Sequence, residues 1–193
     1  MTDMNPIQHP ILITPRLILR DYEPSDWQAV HAYASDAETT QFMVWGPNTE
    51  PQQTQDFLAR MIATSEMRPR YEYELAVIRK EDRVLIGGCG LYLTNQDQRE
   101  GSIGYCFGRD CWGQGYATEA ARQIVAFGFA ELGLHRIFTR CQAENLASAR
   151  VMEKIGMRRE GLFLEERWAK GRWWDVPLYA ILDKDWQNQR PSA

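Results

Sequence analysis

The stretch 112–118, WGQGYAT, restricts the fold more than any other part of the chain. Before it, apolar residues recur with the period of strands; directly behind it, they recur with that of a helix. YEYELAVIRK (71–80), VLIGGCGLYL (84–93) and SIGYCFG (102–108) read as an antiparallel meander turned by KEDR and NQDQRE. Its middle strand is weakened or bulged at the glycines. In YATEAARQIVAFGFAEL, by contrast, Ala117, Ala120, Ala121, Ile124, Val125 and Phe127 fall along one helical stripe. The two glycines at the junction let the backbone turn tightly and come close to a ligand. The helix behind them directs unpaired N–H groups and the positive end of its dipole back at the loop. That arrangement suits a phosphate or pyrophosphate, and Arg109 can add charge beside it. No Gly-Lys-Ser/Thr closes the loop, so it is not a Walker A motif, and Thr118 replaces the third glycine of a dinucleotide fingerprint. Glycine spacing alone leaves open a helix-start turn with no ligand.

The flanking segments complete one domain. RLILR (16–20) reads as a first strand, and Ser25 or Asp26 as the cap of a helix through Trp27, Val30 and Tyr33. Thr49 with Gln52 makes a capping box for a second helix, with Pro51 in its first turn and Phe57, Leu58, Met61 and Ile62 at core spacing. Gly133 ends the long helix, and RIFTRC (136–141) is the next strand. Asn145 caps a helix through Met152 and Lys154 that stops at Gly156. MRREGLFLEERWA and WWDVPLYAIL form a closing hairpin around KGR. The predicted fold is a single mixed α/β domain spanning 1–193, with 1–10 as a flexible tail. Its centre is a twisted, mostly antiparallel sheet with a strand–helix–strand crossover in the second half.

A net charge of -4 argues against a broad basic surface for nucleic acid or anionic lipid. No apolar run is long enough for a bilayer, and the first ten residues lack the basic start and apolar stretch of a signal peptide. Cys89, Cys106, Cys111 and Cys141 form no CxxC pair, so reduced thiols in the cytoplasm are expected rather than disulfides or zinc ligands. His9, His31 and His135 lie far apart in the chain, which leaves neither a metal site nor a histidine-based triad.

From Ile103 to Met157, and more loosely from Arg16 to Trp186, the chain resembles the GCN5-related N-acetyltransferases, within them the ribosomal-protein acetyltransferases. TPRLILR, GSIGYCFGRDCWGQGYATEA, NLASARVMEKIGMRREG and WWDVPLYAILDKDW carry the likeness in order and spacing. The resemblance implies acetyl-CoA as co-substrate and no metal. Gly113, Gln114, Gly115, Tyr116, Ala117 and Thr118 would hold its pyrophosphate through backbone N–H groups; Trp112 opens the motif where the wider family has Gln or Arg. Tyr105, Cys106 and Phe107 would present backbone groups to the pantetheine arm like an added strand, and an N–H there would polarise the thioester carbonyl.

Acetyl transfer to an amine needs a neutral amine, a polarised carbonyl, close approach and a stabilised thiolate. Where many members carry a tyrosine for the thiolate, this chain has Met152, which cannot donate a proton. The resemblance gives the sulfur to Ser148 and a cofactor-holding role to Asn145; the plain alternative is an N-cap with a first-turn hydroxyl. For the base it points to Glu165, with Glu100 and Glu74 as other candidates and Arg167 at the alternative register unable to serve. Trp45, Trp168, Trp173 and Trp174 fall in regions that border the family's acceptor cleft, although strand tryptophans more often serve the core or a dimer contact. The acceptor implied is the N-terminal amine of a protein. A small amine, or a CoA-binding domain without catalysis, remains open, and family members are often homodimers.

Overall fold

The computed structural model describes residues 7–189. Of the tail expected at 1–10, residues 1–6 lie outside that range; Pro10 is buried and His9 Nδ1 lies 2.7 Å from Asp21 Oδ2. Among the described residues, β1 (Leu12–Ile13), β2 (Leu17–Arg20), β3 (Glu72–Arg79), β4 (Leu85–Asn95), β5 (Glu100–Phe107), β6 (Arg136–Arg140), β7 (Arg158–Ala169) and β8 (Arg172–Leu182) form one sheet. The strand order is β1-β2-β3-β4-β5-β6-β8-β7. Neighbours are antiparallel except β5 and β6, which run parallel because the crossover helix α3 (Tyr116–Ala130) joins them. No helix among the described residues is long and apolar enough to cross a membrane.

Period-two alternation divides the sheet into two faces. Tyr73, Leu75 and Val77 of β3, with Cys89 and Leu91 of β4, face α3, where Ala120, Ala121, Ile124 and Val125 have no solvent exposure. Met152 of α4 (Leu146–Lys154) and Ile155 just past its end join this core. Ala76 and Ile78 face the other way, with Val30, Tyr33 and Ala34 of α1 (Trp27–Ala34) and Leu58 of α2 (Pro51–Ser65). The meander, the crossover and the closing hairpin all stand as the periodicity predicts. The bulge beside the β4 glycines falls where Val77 pairs with Gly87 but Ile78 with Leu85.

Helix starts differ from expectation in detail. Asp26 does not cap α1, because its carboxylate is taken by Arg20 at 2.8 and 2.9 Å and by the Glu23 N–H at 2.8 Å. Ser25 lies in the preceding 3-10 turn. The box on α2 sits one residue later than expected, between Glu50 and Gln53, because Pro51 occupies the first helical position. Asn145 does cap α4, its Oδ1 accepting from Ser148 N–H at 3.0 Å. A two-residue strand, β1, and a final helix, α5 (Asp183–Gln187), are too short to leave a periodic signal.

Candidate active site

The glycine loop has the backbone its sequence calls for. Gly113 and Gly115 adopt φ of 74° and 82°, and Gly115 is the N-cap of α3. Nothing lies within 4 Å of where a Cβ at Gly113 would stand. The N–H groups of Tyr116, Ala117 and Thr118 belong to the first helical turn and have no intrahelical acceptor. The loop is tied down from β2: Arg16 donates to the Gln114 carbonyl at 3.0 Å and to Glu119 at 2.6 Å, and its guanidinium covers the Tyr116 ring at 4.5 Å. Burial acts against the charge on Glu119. The hydrogen bonds of Thr14 and Arg16 outweigh it and hold the carboxyl below its usual range. Arg109, expected beside the loop, instead pairs with Glu38 at 2.9 Å, so the cation at the glycines is Arg16.

Beside the loop the sheet opens. The β5–β6 ladder consists of Glu100↔Arg136, Gly101↔Ile137 and Ser102↔Phe138, yet β5 continues to Phe107, paired only with β4. Alternate residues of a strand aim their amides at opposite neighbours. The Ile103 carbonyl accepts from Thr139 Oγ1 at 2.7 Å and the Phe107 carbonyl from the Trp112 indole at 2.8 Å, both on the β6 side. The N–H and C=O of Tyr105 therefore face the same opening. Across it stands α4, where the Tyr105 hydroxyl meets Ser148 Oγ at 2.9 Å and the Ser148 carbonyl at 3.1 Å. Burial pushes the Tyr105 hydroxyl above its usual range, with Ser148 opposing. Burial likewise pushes the Cys141 thiol up to about 11. Met152, at 1% exposure, is a core side chain, and the tyrosine hydroxyl beside α4 comes from β5.

On the opposite face lies a cavity of about 350 Å³ between the sheet and helices α1 and α2. Its floor exists because the row Glu74↔Gly90↔Gly104 carries one side chain across three strands. Added Cβ atoms at Gly88 and Gly90 would strike the Tyr22 hydroxyl and the Glu74 carboxylate. Glu74 accepts a hydrogen bond from Tyr92, and burial pushes its carboxyl up to about 7 against that bond. Aromatic side chains Tyr22, Tyr33, Trp45 and Phe57 line the space, and Tyr105 and Cys106 border it from β5. Slot and cavity therefore meet at residues 104–106. Among the described residues, no group of three or more His, Cys, Asp or Glu side chains could hold a metal ion.

The acetyltransferase (GNAT) domain family matches residues 16–158, from Arg16 through the glycine loop to the start of β7. The chain belongs to the GNAT acetyltransferase family. An uncharacterized N-acetyltransferase of Bacillus subtilis, YnaD, is 38% identical over 91% of this chain and 98% of its own length. The crystal structure of a GNAT-family acetyltransferase from Bacillus anthracis superposes with a TM-score of 0.81 at 35% identity, covering 91% of this chain and 99% of that one. A spermidine N-acetyltransferase from Vibrio cholerae, solved with CoA and spermine, shares the fold at a TM-score of 0.77 and 22% identity, covering 91% and 100%. The protein is thus an acetyl-CoA-dependent N-acetyltransferase.

Within this GNAT fold the candidate side chains separate. Trp112 of the loop binds the Phe107 carbonyl, and Tyr105, Ser148 and Asn145 are linked through hydrogen bonds at Ser148. Glu165 stands exposed on an irregular stretch of β7, at φ 47°, with its N–H bound to Asp175 at 2.8 Å. Glu100 pairs with Arg136 at 3.0 Å. Trp45 lines the cavity, Trp174 is buried, and Trp168 and Trp173 pack edge to face at the hairpin tip. Sequence reasoning weighed Glu74 but missed its link to Tyr92. Its signal was the run of small residues at 87–90, which reads as a weak strand until the cavity above it is seen.

Proposed function

We propose that this enzyme moves the acetyl group of acetyl-CoA directly to a primary amine within a ternary complex. The observation that carries the reading is the meeting of two features: an α3 N-terminus free of side chains at Gly113, and a β5 edge left without a partner beyond Ser102. Backbone N–H groups of Gly113 to Thr118 hold the diphosphate, with Trp112 fixing the end of β5. The β5 edge at Tyr105, Cys106 and Phe107 hydrogen-bonds the pantetheine arm as a strand would, and one of its N–H groups polarises the thioester carbonyl. Asn145 sets the first turn of α4, which aims the Ser148 hydroxyl at the leaving sulfur. Tyr105 holds that hydroxyl in place. No covalent enzyme intermediate is needed, because proximity supplies several kcal/mol of the barrier reduction.

The cavity's modest volume and its aromatic walls favour a small amine as acceptor over the N-terminus of a protein. Four unpaired cysteines support a reducing compartment, the cytoplasm. Calorimetry with acetyl-CoA tests the cofactor half of the reading. Gly115→Trp should abolish binding, since its backbone sits at φ 82° and a Cβ there would stand 3.5 Å from the Arg16 guanidinium. Ser148→Ala should bind acetyl-CoA normally and turn over about 10²-fold more slowly. Full turnover by the serine variant would remove Ser148 from the reaction.

A further inference from the structure

We infer that the cavity between the sheet and helices α1 and α2 is the acceptor site, that Glu74, held by Tyr92, takes the amine proton, and that the acceptor is a monoamine on a compact, largely apolar body. This rests on the acetyl-transfer reading above and adds the base and the substrate class. Three observations converge on it. The cavity reaches β5 at Gly104, Tyr105 and Cys106, the strand segment that also borders the cofactor opening. Its floor carries a carboxylate whose bonded side chain, among the described residues, is a tyrosine hydroxyl, with no cation spent on it. The Tyr22 hydroxyl, 5% exposed, lines the same space beside the Tyr33 hydroxyl, so two polar tips stand among the aromatic walls.

The lining also selects. Around the carboxylate stand Val30, Tyr33, Met43, Trp45 and Phe57, which suit an apolar or aromatic body. Glu74 is the single carboxylate in the lining, and Arg60 is its cation. A polyamine would have no acid for its second ammonium and would meet the guanidinium instead. A volume of about 350 Å³ lies at the small end of small-molecule sites, which suits a compact acceptor.

The proton balance is explicit. The ammonium gives one proton to the Glu74 carboxylate, the free amine nitrogen bonds to the carbonyl carbon, and the C–S bond breaks. The second nitrogen proton ends on the thiolate, where the Ser148 hydroxyl stands, and Glu74 returns its proton to solvent. Ammonium and thioester thus become amide, thiol and one released proton. The ionisable groups facing Glu74 are Glu72 on β3, Tyr92 on β4, Tyr22 behind β2, Tyr33 on α1, Arg60 on α2 and Cys106 on β5. Burial drives the three tyrosines upward and the Cys106 thiol up to about 12, so Glu74 is the group raised into the neutral range.

Steady-state kinetics with phenylethylamine, spermidine and a peptide bearing a free N-terminus, for wild type, Glu74→Gln, Trp45→Ala and Glu165→Gln, test this, alongside acetyl-CoA calorimetry on each. Wild type should favour phenylethylamine, with kcat/KM rising through about pH 7 as the base ionises. Glu74→Gln should bind acetyl-CoA as wild type does, lose about 10²-fold in kcat and lose that rise. Trp45→Ala should raise KM for the amine about tenfold and leave that for acetyl-CoA unchanged. Preference for spermidine or the peptide, or a loss confined to Glu165→Gln, overturns the inference while leaving acetyl transfer intact. Failure of wild type to bind acetyl-CoA would overturn the underlying reading instead.

Discussion

Two glutamates show how the same side chain is put to opposite uses. Glu119 accepts three hydrogen bonds at the mouth of α3, and its carboxyl sits below the usual range. A depressed carboxyl stabilises the fold above its unfolded value, and that stability disappears as pH falls through the folded one. Glu119→Gln should therefore cost ~1–2 kcal/mol at neutral pH, and thermal melts should show the gap to wild type closing on acidification. Glu74 is raised to about 7, so it binds a proton more readily folded than unfolded. Its ionisation costs stability on the order of 1–3 kcal/mol as pH rises from about 4.5 to above 7. Glu74→Gln should accordingly melt higher than wild type at about pH 8.5 and equal to it near pH 4.5. A variant that melts lower at both would mean the carboxylate is structural. The sequence offered Glu74 as one candidate base but showed neither its burial nor the partners of Glu119, because burial and partners at a separation such as Arg16 to Glu119 are set by tertiary packing.

Among elements, strand and helix types followed from periodicity, and the errors cluster where spacing is ambiguous by one or two residues. The α2 box shifted by one because two polar residues precede Pro51 and only the adjacent one can be the cap. Glu165 was placed by counting along a strand whose pairing slips between Phe163 and Arg167, so its position could not be read from period two. The glycines of β4 were legible as weak points but not as a cavity floor. Gly87 serves the strand pairing instead, because a Cβ there would strike the Cys106 carbonyl on β5, which is backbone and cannot move aside. Gly87→Ala should cost ~1–3 kcal/mol in chemical denaturation. It should also weaken acetyl-CoA binding, because the displaced segment is the edge of the cofactor opening.

For the whole molecule, the sheet separates two approaches to one reaction. In the proposed arrangement the thioester enters between β5 and β6 beside α3 and α4, while the amine binds under α1 and α2. They meet where β5 carries Gly104 to Cys106 and lacks a neighbour beyond Ser102. The mixed sheet and the crossover were readable from the switch of period at WGQGYAT. The opening was implied only by the family resemblance, since nothing in the residues of β6 announces that its ladder with β5 stops after Phe138. A crystal structure of the protein with CoA is the most direct measurement of this arrangement. The diphosphate should lie on the amides of residues 113–118, the pantetheine along Tyr105 to Phe107, and the sulfur beside Ser148. A diphosphate bound away from that loop, or a pantetheine arm that bypasses β5, would contradict it.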